Sequence, residues 1–274
     1  MDNRGSKCRP VESKDPNYSQ AMTSGPLALS AVLITKNAAN ALEDCLRSVS
    51  FCDDIVVVDS GSEDGTTELA RHYGARAIPC EWRGFGPQKQ FAVEQARHDW
   101  VLCIDADERV SETLRASITV ALANPQAKAY RFPRCNRFLG RYLRHGEGYP
   151  DWSLRLFHRG HARWSDDAVH EKVLCDGPVG ELAGDLLHDS AETLDSYLTK
   201  QNRYTSLAAD EALARGKRAS VGKLLLSPLF RFIKFYFLRR GFLDGVPGLV
   251  HILIGCQNSF FKYAKMLERS RKRG

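Results

Sequence analysis

The residues best suited to chemistry are two carboxylates one position apart, Asp105 and Asp107, which end the apolar run that begins at Trp100. Two carboxylates at the end of a buried strand are unfavourable unless a positive charge compensates them. A divalent cation, held by one or two carboxylates together with substrate phosphates, commonly provides that charge. The alternative is a solvated turn whose acids cap the next helix, because such triplets also occur by chance. The pattern alone therefore suggests, without requiring, a site for a metal ion and a phosphorylated ligand.

Polar residues also end the two preceding apolar runs. The first run ends in Thr35-Lys36-Asn37, and the second ends in Asp59, followed by a turn rich in Gly and Ser. A carboxylate at Asp59 can accept hydrogen bonds from a ribose hydroxyl or from a base N–H. It could instead cap the turn, although Ser62 just downstream is a better cap. Three runs that all end in polar side chains support a binding site more strongly than any one of them.

These runs alternate with helical patterns, which is typical of βαβ units and a parallel sheet. The predicted strands are Ala31–Thr35, Ile55–Asp59, Ala75–Ile78 and Trp100–Asp105, and the predicted helices are Ala41–Val49, Thr66–Tyr73, Gln88–Arg97 and Ser111–Leu122. The strands are apolar throughout, as expected when helices cover both faces of the sheet. Because ligands of such sheets bind beyond the carboxyl ends of the strands, the polar residues should meet at one edge.

After about residue 131 the pattern changes to short strand-like pieces such as Ser153–Phe157 and Lys172–Leu174, without long helices between them. We interpret residues 131–188 as an edge of the sheet and as the side of the site that would hold a second substrate. Helix returns at Ser190–Ala214. The chain is therefore predicted to comprise a disordered tail over residues 1–26, a catalytic domain over residues 27–215 and a helical segment over residues 216–274.

The C-terminal segment combines aromatic and aliphatic residues with many of the cations behind the formal net charge of +6. Charges such as Arg231 and Asp244 interrupt its apolar runs, which fall short of the roughly 20 apolar residues that a spanning helix needs. This mixture suits an amphipathic helix that lies on an anionic membrane surface, and it does not suggest a nucleic-acid partner. The alternative is a helical pair that packs on the core and carries surface charge.

Other classes of protein are disfavoured by what the sequence lacks. No GxGxxG follows a strand and no GxxxxGK[ST] is present, which argues against a dinucleotide oxidoreductase and a P-loop NTPase. The eight cysteines include no CxxC pair, so we expect free thiols in a reducing cytosol. The pattern favours an enzyme that binds a metal ion and a nucleotide-linked substrate, and two alternatives to it remain. One is a nucleotidyltransferase, which would usually carry a Gly-rich phosphate loop, and the other is a non-catalytic nucleotide-sugar-binding membrane protein.

Several motifs together resemble the family 2 glycosyltransferases, which invert the anomeric centre and have the GT-A fold. The motifs of the family are Ala31–Asn37, Val58–Thr66 and Ile104–Glu108. Those of its bacterial lipopolysaccharide-core branch, the β-1,4-glucosyltransferases that act on inner-core heptose, are Gly86–Phe91, Arg155–Phe157, Val169–Glu171 and Leu187–Ser190. The resemblance covers about residues 28–265 and implies an α/β, Rossmann-like, mostly parallel sheet flanked by helices.

The resemblance also implies a donor site. The residues that would hold the nucleoside, its sugar and the diphosphate are Thr35, Asn37, Asp59, Lys89, Asp105 and Asp107. Asp107 would coordinate a Mg²⁺ or Mn²⁺ ion, with Asp105 nearby, and His188 would complete the metal shell from the far side. We predict that Lys89 begins a helix whose N-terminus could face phosphate. The alternatives are a structural histidine and a plain surface lysine.

The catalytic base of an inverting transfer removes the proton of the acceptor hydroxyl. Many relatives use a Glu-Asp pair at this stage of the fold, whereas this chain carries Asp166-Asp167 and His170-Glu171. We favour Glu171 as the base and Asp167 as the second choice. His170 would orient the base or contact the acceptor.

Trp152, Arg155 and Trp164 are predicted to shape the acceptor pocket, because aromatic faces pack on sugar rings and arginine binds anionic groups. The alternative is that they are core aromatics and a surface arginine. The implied reaction is the transfer of a hexose, glucose from UDP-glucose, to a membrane-linked glycan, the lipopolysaccharide inner core. Another lipid-linked acceptor or a protein acceptor is the alternative. The implied location is cytoplasmic, at the inner face of the bacterial inner membrane.

Overall fold

The computed structural model describes residues 27–167, 171–190 and 193–271, so the predicted N-terminal tail lies outside the described part of the chain. The strands are β1 (Leu29–Thr35), β2 (Asp54–Asp59), β3 (Arg76–Pro79), β4 (Trp100–Cys103), β5 (Glu108–Val110), β6 (Ala129–Phe138), β7 (Arg141–Tyr142), β8 (Asp151–His158), β9 (Ala162–Trp164), β10 (Val173–Cys175), β11 (Val179–Glu181) and β12 (Leu186–His188). The α-helices are α1 (Ala39–Ser48), α2 (Thr66–His72), α3 (Phe85–Glu94), α4 (Glu112–Ala123), α5 (Leu194–Ala214), α6 (Val221–Phe232) and α7 (Gly245–Arg271). A π-helical segment, Ile233–Leu238, and a 3₁₀ turn, Gly241–Asp244, connect α6 to α7.

The main sheet has the strand order β3-β2-β1-β4-β8-β6-β12-β5. Strands β1 to β4 pair in parallel, in the order β3-β2-β1-β4, while β8 pairs antiparallel with both β4 and β6. The register between β1 and β2 sets Thr35 beside Asp59 at the carboxyl end of the sheet. The predicted α/β architecture, with a mostly parallel sheet flanked by helices, is confirmed.

The side chains of β1 show how both faces of the sheet are covered. Leu29, Ala31 and Leu33 belong to the core beneath α1, α2 and α4, whereas Val32 belongs to the core beneath α3. Each fully buried leucine contributes roughly 1.5–3 kcal/mol to folding. Burial on both faces explains why the strands are apolar throughout, and it makes their carboxyl ends a rigid platform for polar side chains.

The predicted start of the third helix is wrong. Helix α3 begins at Phe85 rather than Gln88, so Lys89 lies inside the helix and not at its N-terminus. Gly84, with a φ of 95°, turns the chain into the helix earlier than the apolar periodicity indicates. A phosphate at the N-terminus of α3 would therefore not lie beside the backbone of Lys89.

The sequence does not predict β6, which at ten residues is the longest described strand. Pro133 and several arginines interrupt its apolar pattern, and proline is unusual inside a sheet because it cannot donate a backbone hydrogen bond. Strands β8 and β12 nevertheless pair with its two edges. Tertiary pairing therefore outweighs the weak local preference of this segment for a strand.

The helices at the C-terminal end form a packed group. Met266 of α7 is buried against Ala209 and Ala212 of α5, so α7 packs along a helix of the predicted catalytic domain. Helix α6 packs on α7 but buries none of its own residues. No helix in the described ranges is long and apolar enough to cross a membrane. The domain boundary at residue 215 stays a prediction.

The helices after residue 216 are fastened to the loop that follows β7. Asp244 is buried, and its carboxylate accepts hydrogen bonds from the backbone N–H of Arg144 (3.0 Å) and of His145 (2.8 Å). In the same loop, Glu147 forms an ion pair with Arg231 of α6. These contacts fix the position of α6 and α7 relative to the strands that carry the site.

Candidate active site

Asp59 ends β2, with its side chain buried beside Thr35. Its carboxylate accepts hydrogen bonds from Thr35 Oγ1 (2.8 Å), from the backbone N–H of Gly61 (3.0 Å) and of Ser62 (2.8 Å), and from Ser62 Oγ. Burial by itself would raise the pKa of Asp59, but these hydrogen bonds outweigh it and hold the pKa below its ordinary value. Asp59 therefore caps its own turn, and four donors fill its acceptor sites. Contact with a nucleoside would require a hydroxyl of Thr35 or Ser62 to turn away.

Asn37 joins the loops that follow β1 and β2. Its backbone has a φ of 50°, a left-handed conformation that asparagine tolerates better than most residues. Its N–H donates to Ser62 Oγ (2.8 Å), and its side-chain oxygen accepts from the N–H of Glu63 (2.9 Å). The two loops therefore form one continuous rim beside Thr35 and Asp59.

Asp105 lies between two cations of the protein. Strand β4 ends two residues earlier than predicted, and the N–H of Glu108 closes a turn on the carbonyl of Asp105 (3.0 Å). Asp105 Oδ1 is 3.1 Å from Lys89 Nζ, and its Oδ2 accepts a hydrogen bond from Arg155 Nη2 (2.9 Å). Burial by itself would raise the pKa of Asp105, but Arg155 and Lys89 outweigh it and hold the pKa well below its ordinary value. The protein thus compensates Asp105 itself, which leaves Asp107 as the better-placed metal ligand.

Glu108 is a site residue that sequence reasoning missed. It is fully buried, with its Oε1 3.4 Å from Arg155 Nη2 and 3.5 Å from Arg134 Nη1, and its Oε2 accepts from the N–H of Asp105 (2.9 Å). Burial raises the pKa of Glu108, and Asp105 adds to the rise although Arg155 opposes it. Glu108 therefore braces the turn that presents Asp105. In the sequence, Glu108 is only a third acidic residue after Asp105 and Asp107, and an exposed acidic turn would show the same pattern.

The structure brings Asp107 and His188 together, and their role as metal ligands stays a prediction. Strand β12 pairs with β5 so that His188 lies opposite Glu108, and His188 Nε2 is 3.3 Å from Asp107 Oδ2. On the other side of the ring, His188 Nδ1 lies 2.7 Å from Asn136 Oδ1. Since an amide oxygen only accepts, Nδ1 donates there, and a neutral ring then presents the lone pair of Nε2 toward Asp107.

This donor set fits a divalent cation. A cation at this position would accept the lone pair of an imidazole nitrogen and bind a carboxylate oxygen, two donors that metal sites commonly combine. Within the described ranges no group of three or more His, Cys, Asp or Glu side chains could hold a metal. Asp107 and His188 would therefore be joined by substrate phosphates and water, as is usual for Mg²⁺.

Lys89 is a buried link between the donor side and the candidate base. Its Nζ lies 3.1 Å from Asp105 Oδ1 and 2.9 Å from Glu171 Oε1, and it faces the ring of Trp164 at 4.9 Å. The alternative that Lys89 is a surface lysine is wrong, because only 7% of the residue is exposed. Glu171 is thereby held next to Asp105.

The second candidate base is placed differently. The side chain of Asp167 is exposed, and its carbonyl accepts a hydrogen bond from the N–H of Gly86 (3.2 Å). A Cβ on Gly86 would lie 2.2 Å from the carbonyl oxygen of Ser165, so α3 and this loop are in close backbone contact. His170 lies outside the described residues. Glu171 is therefore the candidate that the structure connects to Asp105.

The three predicted acceptor residues do not form one surface. Trp164 is 3% exposed, donates from Nε1 to Cys103 Sγ (3.5 Å) and has Arg155 above its ring at 5.5 Å. Trp152 is exposed, and Arg131 stacks on it at 5.1 Å. Arg155 is buried, and its Nη1 has no hydrogen-bond partner among the described residues. Trp164 and Arg155 thus lie beneath the site, and the acceptor role of all three stays a prediction.

The fold thus gathers polar and ionised side chains at the carboxyl edge of a mostly parallel α/β sheet, and comparison with known proteins identifies the family. Residues 30–174 match the family described as Glycosyl transferase family 2. A lipopolysaccharide core biosynthesis glycosyltransferase, LpsC of Rhizobium meliloti, is 34% identical over 251 residues, which are 89% of this chain and 93% of LpsC. An uncharacterized glycosyltransferase of Rickettsia typhi, RT0209, is 29% identical over 257 residues, which are 89% of this chain and 88% of that protein.

Two solved structures are also similar. S. aureus TarS in complex with UDP-GlcNAc is 13% identical with a TM-score of 0.47, over 90% of this chain and 92% of that one. A mannosyltransferase of Pyrobaculum calidifontis in complex with GDP-Man and Mn²⁺ is 16% identical with a TM-score of 0.48, over 91% and 87%. On the family match and the identity to LpsC, the chain belongs to the family 2 glycosyltransferases. It is therefore an enzyme that takes a nucleotide-sugar donor and a glycan acceptor.

Proposed function

We propose that this enzyme transfers a hexose, glucose from UDP-glucose, to a membrane-linked glycan, the inner core of lipopolysaccharide, with inversion at the anomeric carbon. The acceptor is supported by the 34% identical relative LpsC, which is named as a lipopolysaccharide core biosynthesis glycosyltransferase. The motifs Gly86–Phe91 and Leu187–Ser190 support the same branch, and glucose and UDP rest on that resemblance.

The observation that carries the proposal is the pairing of Asp107 with His188 beside an Asp105 that the protein itself compensates. A Mg²⁺ or Mn²⁺ ion bound by Asp107 and His188 would stabilise the charge of the departing nucleoside diphosphate. The Asn136 amide fixes the ring of His188 for this task. Asp107 therefore serves the diphosphate, while Asp105 serves the neighbouring part of the donor.

The remaining roles follow from position. Thr35, Asn37 and Asp59 line the rim where the nucleoside would bind, and Lys89 positions Glu171 next to Asp105. Glu171 accepts the proton of the acceptor hydroxyl as that oxygen forms its bond to the anomeric carbon and the bond to the diphosphate breaks. Holding donor, acceptor and base in line supplies a large part of the rate enhancement.

We also propose that the enzyme works at the anionic inner face of the bacterial inner membrane. Large apolar side chains stand exposed on α6 and the π-helical segment: Leu225, Leu226, Leu229, Phe230, Phe237 and Leu238. Cations interleave with them: Lys223, Lys234, Arg239 and Arg240. Such a face suits the headgroup plane of an anionic leaflet. Binding to anionic vesicles should weaken with added salt and fall further in Phe230→Ser, whereas binding that is absent or unaffected by salt would contradict the proposal.

A thermal-shift panel tests the donor site. UDP, GDP, CDP and dTDP are each added with and without Mn²⁺ or Mg²⁺, and a ligand at about 100 times its dissociation constant should add roughly 2.7 kcal/mol of stability. We expect a metal-dependent shift for UDP that is lost in Asp107→Ala. Asp166→Ala changes an exposed acid in the connection between β9 and β10 that carries Asp167 and Glu171, which we call the base loop. This variant is the matched control and should keep the shift. If no diphosphate produced a thermal shift, or if Asp107→Ala kept near-normal turnover, the proposed metal site would be rejected.

A further inference from the structure

A cavity of about 820 Å³ opens between the end of β6, the start of α5 and the middle of α7. Asp107 and His188 form part of its wall, whereas Thr35, Asp59 and Lys89 do not line it. Pockets of roughly 300–1,000 Å³ hold ligands larger than a monosaccharide. The cavity therefore adjoins the candidate metal pair without including those donor-side residues, and a second substrate bound there would lie beside the diphosphate.

One wall of the cavity is aromatic. The ring centroid of Phe138 lies 5.4 Å from that of Tyr197 and 5.3 Å from that of His251, and all three residues are partly exposed. Tyr197 Oη and His251 Nε2 are 3.2 Å apart, which fixes the two rings relative to each other. Burial, aided by the nearby Arg231, lowers the pKa of His251, so this wall is uncharged at neutral pH. A flat, partly exposed and uncharged aromatic surface suits the apolar face of a sugar ring.

The arginines that line the cavity differ in how many contacts they already make within the protein. Arg109 contacts Asp44, Asp189 and Tyr142, and Arg134 contacts Asp151 and Glu108. Among these guanidinium groups, that of Arg137 is the least engaged, because its contact is a 3.5 Å approach to Asp189 and 49% of its side chain is exposed. Its planar fork is suited to a phosphate or carboxylate.

We propose that this cavity binds the anion-bearing part of the acceptor glycan, with a sugar ring against Phe138, Tyr197 and His251 and a phosphate substituent on Arg137. The inference rests on the proposed function, because it places the acceptor beside the diphosphate held at Asp107. It assigns acceptor recognition to residues other than Trp152, Arg155 and Trp164. The anion could come from the acceptor or from the diphosphate of the donor, and the experiment separates these two sources.

The experiment measures binding by calorimetry, with UDP and Mn²⁺ present at saturation. The probe is a deacylated lipopolysaccharide inner-core oligosaccharide that carries phosphate, compared with the same oligosaccharide after phosphatase treatment. Arg137→Gln should weaken binding of the phosphorylated probe at least tenfold and leave UDP affinity within twofold. The dephosphorylated probe should bind wild type as weakly as the phosphorylated probe binds the variant. Phe138→Leu should weaken binding of both probes.

Matched controls exclude a general loss of structure. Arg203→Gln removes an exposed arginine of α5 that does not line the cavity, and it should leave both affinities unchanged. In Arg137→Gln, Asp189 keeps its contacts with Arg109 and Tyr142, so the melting temperature should match that of wild type.

Three results would overturn the inference. They are a loss of UDP affinity in Arg137→Gln, equal binding of the two probes, and no binding of the phosphorylated probe by wild type. The first of these would assign Arg137 to the donor diphosphate. Failure of the proposed function looks different, since wild type would bind the phosphorylated probe through Arg137 yet release no UDP from UDP-glucose.

Discussion

Replacing Arg155 by leucine tests whether a buried guanidinium holds the carboxylates of the site together. Arg155 is 7% exposed and pairs with Asp105 at 2.9 Å and with Glu108 at 3.4 Å. Leucine retains an apolar stem but leaves the wholly buried Glu108 and the partly buried Asp105 without their shared cation. The turn that presents both carboxylates should then be destabilised.

The magnitude follows from what remains around the two carboxylates. Removing one partner of a buried ion pair typically costs about 3–5 kcal/mol of stability. Lys89 still lies 3.1 Å from Asp105, and Arg134 still lies 3.5 Å from Glu108, so compensation is only partly lost. Burial already raises the pKa of Glu108, and proton uptake by this residue limits the penalty further. We therefore expect a loss of about 3 kcal/mol at pH 7, at the lower end of that range.

Urea unfolding followed by circular dichroism measures this loss as a shift of the midpoint at an unchanged slope. Adding Glu108→Gln to Arg155→Leu removes the stranded charge and should recover about 1–2 kcal/mol, a coupling that two independent sites would not show. Arg71→Leu is the matched control, because its side chain is 59% exposed, and it should change stability by no more than about 0.5 kcal/mol. A loss below about 1 kcal/mol for Arg155→Leu, with no recovery in the double variant, would refute our account of how Asp105 is compensated.

Three further predictions concern other parts of the fold and site. Burial by itself would raise the pKa of Asp54, but the hydrogen bonds from Arg76 and other donors outweigh burial and lower the pKa in the folded protein. The ionised Asp54 therefore stabilises the fold at pH values above the ordinary carboxyl pKa of about 3.9, and this stabilisation is lost as the pH falls through the lower pKa of the folded state. The stability gap between wild type and Asp54→Asn, about 2 kcal/mol at pH 7, should therefore close in urea titrations between about pH 4 and 2, and a gap that is constant with pH would contradict this. Gly86→Ala should cost about 1–3 kcal/mol and lower turnover, because its Cβ would meet backbone oxygens of the base loop, whereas Gly222→Ala, with nothing closer than 3.9 Å, should be neutral in both assays. Asn136→Leu should weaken Mn²⁺-dependent UDP binding by about 10–100-fold and leave metal-free UDP binding unchanged, and equal effects with and without metal would count against the proposed role of His188.

The architecture of the first half of the chain and the class of the site can both be predicted from the order of residue types alone. Apolar runs of strand length alternating with helical periodicity specify a parallel sheet, because each pattern can bury its apolar residues in only one kind of element. In such a sheet the carboxyl ends of the strands lie along one edge, so Thr35, Asp59 and Asp105 could be placed there without coordinates.

Which of these side chains already have partners within the protein, and which are available to a ligand, depends on the three-dimensional packing. Whether Lys89 is a surface residue or a buried link to Glu171 depends on how α3 packs on the base loop, which local periodicity does not report. The burial of Arg155 on β8 and the cavity around Phe138, where the end of β6 meets α5 and α7, both depend on segments that are distant in the chain. Ionic and aromatic contacts depend on distances of a few ångströms between such segments, and a one-dimensional pattern of residue types carries no information about those distances.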